Sequence, residues 1–175
     1  MNSSVSAHAR TVSPVPERTI IESFDHEFAQ LDLRARSLLT STPFESFYQI
    51  RSAEGFGLHS IGELILRSAG VVEQTCGGIS SNLWDDPFEW TLPETLSTPS
   101  LVIEYLDEVE DTRKKAFARF LDDSDLVKLI GVPSGDPQPL VNVLLDTLLR
   151  AAGYQARVTV ILALVAKVRT SEFLI

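Results

Sequence analysis

The sequence predicts an all-α domain, a four-helix bundle with one short extra helix. Three observations predict it. Apolar residues recur at three- and four-residue steps over four long stretches. Proline, glycine and serine punctuate the chain between those stretches. No segment reads convincingly as a strand.

The first helix spans about Glu17 to Thr40. Ile20, Ile21, Phe24, Phe28, Leu31, Ala35 and Leu38 share one face, and Thr42-Pro43 stops it. A loop follows with aromatics at Phe44, Phe47, Tyr48 and Phe56 and glycines at Gly55 and Gly57. Ser60 with Glu63 three residues on is a capping-box pattern. It opens a second helix from Ile61 to about Cys76, which Gly77-Gly78 is expected to end.

Residues 82–99 are polar, aromatic and proline-bearing, and read as an ordered loop pinned by Trp84 and Trp90. Ser97 or Thr98 caps a third helix with Pro99 at its first position, running to about Leu121. Its acids come early and its bases late, as the helix dipole favours. Asp123 to Ile130 reads as the short extra helix. Pro139 opens a fourth helix running to about Arg169. Its apolar residues cover nearly every face, which places it centrally or at a dimer interface. Val158 to Ala166 is uncharged and apolar but for Thr159, too short to span a bilayer, and reads as buried.

The 175 residues suit a single domain over 16–175, preceded by a disordered, Ser-rich arm over 1–15. Fifteen Lys+Arg against 24 Asp+Glu give a net charge of −9, which argues against nucleic acid and anionic membrane surfaces as partners. One cysteine, Cys76, excludes an internal disulfide or a CxxC motif and reads as a small buried hydrophobe. No secretory signal is visible, so the expected compartment is cytoplasmic.

The histidines, His8, His26 and His59, fit no metal spacing. His26 is expected to face outward and His59 to pack before the second helix. The acids Glu104, Asp107, Glu108, Glu110 and Asp111 read as a solvated face, since no Glu-x-x-His accompanies them.

Three segments carry a resemblance. Ser60-Ile61-Gly62-Glu63-Leu64-Ile65-Leu66-Arg67 is similar to the start of helix two in the DinB/YfiT-like family of four-helix bundles. Trp84 to Thr95 with Tyr105-Leu106-Asp107-Glu108-Val109 resembles that family's linker and third helix. Leu148-Leu149-Arg150-Ala151-Ala152-Gly153-Tyr154 resembles the region of its HxxxH motif. The resemblance covers about residues 17–170 and implies a divalent metal held by three histidines, one on helix two and two on helix four. It also implies thiol-dependent transferase or hydrolase chemistry, and frequent homodimers.

Those three positions fall here on Arg67, Arg150 and Tyr154. Arginine stays protonated and has no lone pair to give a metal. The expectation is therefore a chain with no metal and no cofactor, binding a small anionic ligand or a protein partner. Whether it is an enzyme stays open; the alternative is a metal-dependent transferase or hydrolase. Glu63 precedes Arg67 by four residues, and Asp146 precedes Arg150 by four, the favoured order for a helix ion pair. The candidate pocket is Arg67, Arg150, Tyr154, Glu63 and Asp146, with Glu104 or Glu108 nearby. The plainer alternatives are solvated or internally paired arginines and a core tyrosine. The greasy run from Val158 to Val168 points to a homodimer.

Overall fold

The structure, a computed structural model, describes residues 17–49, 59–87, 91–133 and 135–172, with side chains as far as 165. The expected arm with His8, and Gly55, Phe56, Gly57 and Trp90, lie outside the described residues. Four helices form the fold: α1 (Thr19–Thr40), α2 (Ile61–Ser81), α3 (Pro99–Phe117) and α4 (Leu140–Glu172). Their directions follow from cross-helix pairs. Asp25 meets Arg113 and Arg36 meets Asp107, so α1 and α3 are antiparallel. Ser68 meets Ala151 and Thr75 meets Thr147, so α2 and α4 are antiparallel. Glu73 bonds Tyr105 while Ser80 O accepts from Arg119, just past α3, so α2 and α3 run the same way. The order is up, down, down, up, and the long return between α2 and α3 is the 82–98 segment.

Each helix is built by local signals. On α1, Ile21, Phe28, Leu31, Ala35 and Leu39 are buried at helical steps. Its first turn has no side-chain cap from its own segment. Asp123, distant in sequence, accepts from the backbone N–H of Ile20 at 3.0 Å and Ile21 at 3.0 Å instead. The capping box on α2 is present: Ser60 Oγ accepts from Glu63 N–H at 3.1 Å, and Glu63 Oε2 accepts from Ser60 N–H at 3.0 Å. Thr98 caps α3 with Pro99 at its first position.

Several expectations on the elements are corrected. Gly77-Gly78 does not end α2; the helix continues to Ser81 and ends at Asn82 in the left-handed region, φ 55°. The Trp84 ring packs so closely on Gly78 that a Cβ there would overlap it. α3 ends at Phe117 rather than Leu121, where the chain turns to bury Phe120. The short helix is a 3-10 turn over Asp123–Val127. Leu129–Ile130 (β1) instead pairs antiparallel with Gln138–Pro139 (β2), a two-strand ladder that reading for strands missed. Pro139 closes that ladder, and Leu140 is the first residue of α4, its N–H donating to Lys128 O at 2.9 Å.

A further correction concerns α4. Leu140, Val143, Leu144, Thr147, Ala151, Gln155 and Val158 are buried along one side. The run from Val158 is not wholly buried: Thr159, Val160, Ala163 and Leu164 are exposed, because the other helices cover one side of α4 only. α4 is the one helix among the described residues long and apolar enough to cross a membrane by length and composition.

Polar groups thread the core. Arg113 is only 4% exposed and donates through Nε and Nη2 to Glu110, both at 2.8 Å, and through Nη1 to the Asp25 carboxylate. Gln155 Nε2 donates to Leu31 O at 2.8 Å and Ser68 Oγ at 3.0 Å, tying α4 to α1 and α2. These bonds fix which helix faces meet, because a buried polar group left unpaired is costly.

Candidate functional site

Two clefts follow the seam between α2 and α4. The smaller holds about 420 Å³, open solvent included, and is lined by Arg67, Gly70 and Gln74 of α2 and Arg150 and Tyr154 of α4. Asp86, Pro87 and Thr91 close its side. The larger holds about 1180 Å³ on the same measure and adds Trp84, Gln138, Asn142, Asp146 and Thr147. Gln74 and Arg150 line both clefts and form the waist between them.

The walls have identifiable causes. Gly70 lets Pro87 approach, since a Cβ there would stand 2.7 Å from Pro87 Cγ. Thr91 folds back on Pro87, donating from Oγ1 and backbone N–H to its carbonyl at 3.0 and 3.1 Å. Gln74 Nε2 donates to Trp84 O at 3.0 Å, which anchors the loop to α2. Trp84 Nε1 is buried with no hydrogen-bond partner among the described residues. Behind this wall Tyr105 donates to Glu73 Oε2 at 2.7 Å, and burial pushes its hydroxyl pKa upward. Farther down the loop, Tyr48 donates to Leu96 O at 2.7 Å; burial raises its pKa to about 12.

The structure brings Arg67, Arg150 and Tyr154 into one cleft. Asp146 stands 3.7 Å from Arg150, a loose pair with side chains 49% and 69% exposed for Arg150 and Asp146. Such a pair holds the guanidinium weakly. Arg157 covers the Tyr154 ring from 5.6 Å. Glu63 lines neither cleft, because its carboxylate serves the Ser60 cap and lies 3.4 Å from His59 Nδ1. Glu104 and Glu108 are exposed on α3 and also line neither cleft. His26 is exposed, as expected. Gln74 and Asp86 belong to the site but carry no motif in the sequence; only the folded loop brings Asp86 to α2.

The donor set at the position the resemblance assigns to a metal does not fit one. Two guanidinium groups and a phenol supply no neutral imidazole or thiolate, and two positive charges repel a cation. Among the described residues no three of His, Cys, Asp or Glu come together as metal ligands. Cys76 is buried, and its thiol pKa is raised to about 12, chiefly by burial, so it is no thiolate near neutrality. The chemistry this arrangement offers is recognition: planar donors from Arg67 and Arg150, a phenol, and amide groups at the waist. Comparison with protein-family models, curated proteins and solved structures finds no match.

Proposed function

We propose that this is a small-ligand binding protein of DinB/YfiT-like type, taking a small carboxylate-bearing molecule between α2 and α4. The observation that carries the reading is the convergence of Arg67 and Arg150, from facing helices, on one cleft with Tyr154. Guanidinium groups recognise planar oxyanions through paired N–H donors, and Tyr154 adds a neutral donor. Asp86 and Asp146 at the edges keep the cleft close to neutral, which favours a singly charged carboxylate over a multiply charged phosphate. The four-helix architecture with its long crossover supports the family reading.

The test is calorimetric titration of the purified chain with benzoate, succinate and inorganic phosphate. The reading expects saturable carboxylate binding, weakened at least tenfold in Arg150→Met and unchanged in Arg34→Met, on the exposed face of α1. Absence of saturable binding by any of the three, or equal binding in Arg150→Met, overturns it.

A further inference from the structure

One row of side chains on α4 lines both clefts. Asn142, Asp146, Arg150 and Tyr154 stand four residues apart, so each lies about one turn beyond the last, ~6 Å along the axis. The row presents a carboxamide, a carboxylate, a guanidinium and a phenol, in that order. α2 runs antiparallel beside it and sets Gln74 at the waist and Arg67 in the smaller cleft with Tyr154. Along the seam the chemistry therefore changes in three steps. Guanidinium and phenol donors come first, then Asp146, then the neutral amides of Asn142 and Gln138.

We infer that the ligand is an α-amino acid with an uncharged, hydrogen-bonding side chain, such as glutamine; this rests on the carboxylate reading above. Its carboxylate takes Arg67, Arg150 and Tyr154, and its ammonium takes Asp146. Its side chain runs into the larger cleft toward Asn142 and Gln138. The spacing of the charges supports this. Arg150 and Asp146 are 3.7 Å apart, and the carboxylate and ammonium of an α-amino acid share one carbon. The ligand thus offers opposite charges, close together, to a protein pair that is itself close together. That pair is loose and exposed, so exchanging it for two ligand contacts loses little.

Charge balance favours a zwitterion over a plain carboxylate. Among the described residues, the charged groups lining the two clefts are Arg67 and Arg150 against Asp86 and Asp146. A zwitterion keeps that balance. A plain carboxylate leaves one negative charge over, in a chain that already carries −9. The larger cleft then selects the side chain. Gln74, Gln138 and Asn142 each carry an amide that donates and accepts, and among the described residues no charge lines this cleft beyond Asp146 and Arg150. An apolar side chain would cover those amides without replacing their bonds to water.

Calorimetric titration of the full chain with L-glutamine and with glutaramate, the same molecule without its amino group, tests this. The native chain is expected to bind both, L-glutamine about fivefold tighter or more. Asp146→Asn is an isosteric change at an exposed side chain. It is expected to weaken L-glutamine and tighten glutaramate, because it removes the ammonium's partner and releases Arg150. Arg150→Met weakens both. L-Norleucine, apolar at its far end, binds about fivefold more weakly than L-glutamine or worse. Saturable binding of glutaramate as tight as that of L-glutamine overturns the amino-acid inference and leaves the carboxylate reading standing. A preference for L-glutamine that persists in Asp146→Asn, or equal affinity for L-norleucine, also overturns it. Saturable binding of none of these ligands overturns both.

Discussion

Thr75 and Thr147 meet hydroxyl to hydroxyl, 2.7 Å apart, inside the contact between α2 and α4. The direction of that bond follows from its surroundings. Thr147 Oγ1 lies 2.8 Å from the carbonyl of Val143 and gives its one hydrogen there, so Thr75 donates to Thr147. Both threonines line the larger cleft, so the bond that joins the helices also fixes the floor of the site. Thr147→Val keeps the shape and strands the Thr75 hydroxyl, for a loss of about 1–2 kcal/mol. Urea unfolding of both single variants and the double variant checks this: the double costs less than the two singles together.

Gly78→Ala is expected to displace Trp84. Its Cβ would overlap the indole, and overpacking of this kind costs about 1–3 kcal/mol. The displaced ring also loosens the wall that Gln74 anchors. Tryptophan emission shifts to the red, and carboxylate binding weakens in the same variant. Unchanged emission would show that the ring does not rest on α2.

Stability depends on pH through Glu110. The hydrogen bonds from Arg113 hold its carboxyl below the usual carboxylate pKa. A depressed folded value means the contribution is fully present above the unfolded pKa, roughly 4.3. It is lost as pH falls from there through the folded value. Urea midpoints measured between pH 2.5 and 6 decline on acidification, and Glu110→Gln flattens that decline while lowering the plateau. A decline of equal steepness in Glu110→Gln would assign the acid sensitivity to other carboxylates.

Cys76 is predicted to be inert in the folded chain. It is fully packed, and burial raises its pKa to about 12, so little thiolate exists at pH 8. Ellman's reagent reacts at the rate of unfolding, and immediately in 6 M guanidinium chloride. Fast reaction in native buffer would mean that α2 opens locally.

Much of this architecture was legible because local signals agree with tertiary packing. The Ser60–Glu63 box, the Thr98-Pro99 start and the apolar stripe of α1 each act within a few residues. What was not legible depends on residues far apart in sequence. Gly78 reads as a helix stop until Trp84 is placed on it, and Asp123 reads only as the start of a short helix until it caps α1. The pairing of Leu129 with Pro139 is too short to leave an alternating pattern. The run from Val158 to Ala166 reads as buried, because composition alone does not say how many neighbours a helix has.

The site divides the same way. The family resemblance pointed to Arg67, Arg150 and Tyr154, which line one cleft, and i,i+4 spacing put Asp146 beside Arg150. Helix spacing failed for Glu63, four residues before Arg67, because its Oε2 serves the Ser60 cap and its Oε1 lies 3.4 Å from His59 Nδ1. Asp86 was invisible, since only the folded loop after α2 brings it to the cleft, and Gln74, on α2 itself, carries no motif.

The central claim is that Arg67 and Arg150 form one recognition site. Its most direct test is a ¹⁵N NMR titration of the arginine Nε and glutamine amide signals with benzoate. The account predicts saturable shifts at Arg67, Arg150 and Gln74 that share a single dissociation constant and vanish in Arg150→Met. Shifts spread evenly over arginines outside the cleft, such as Arg34 and Arg119, or no saturation, would contradict it.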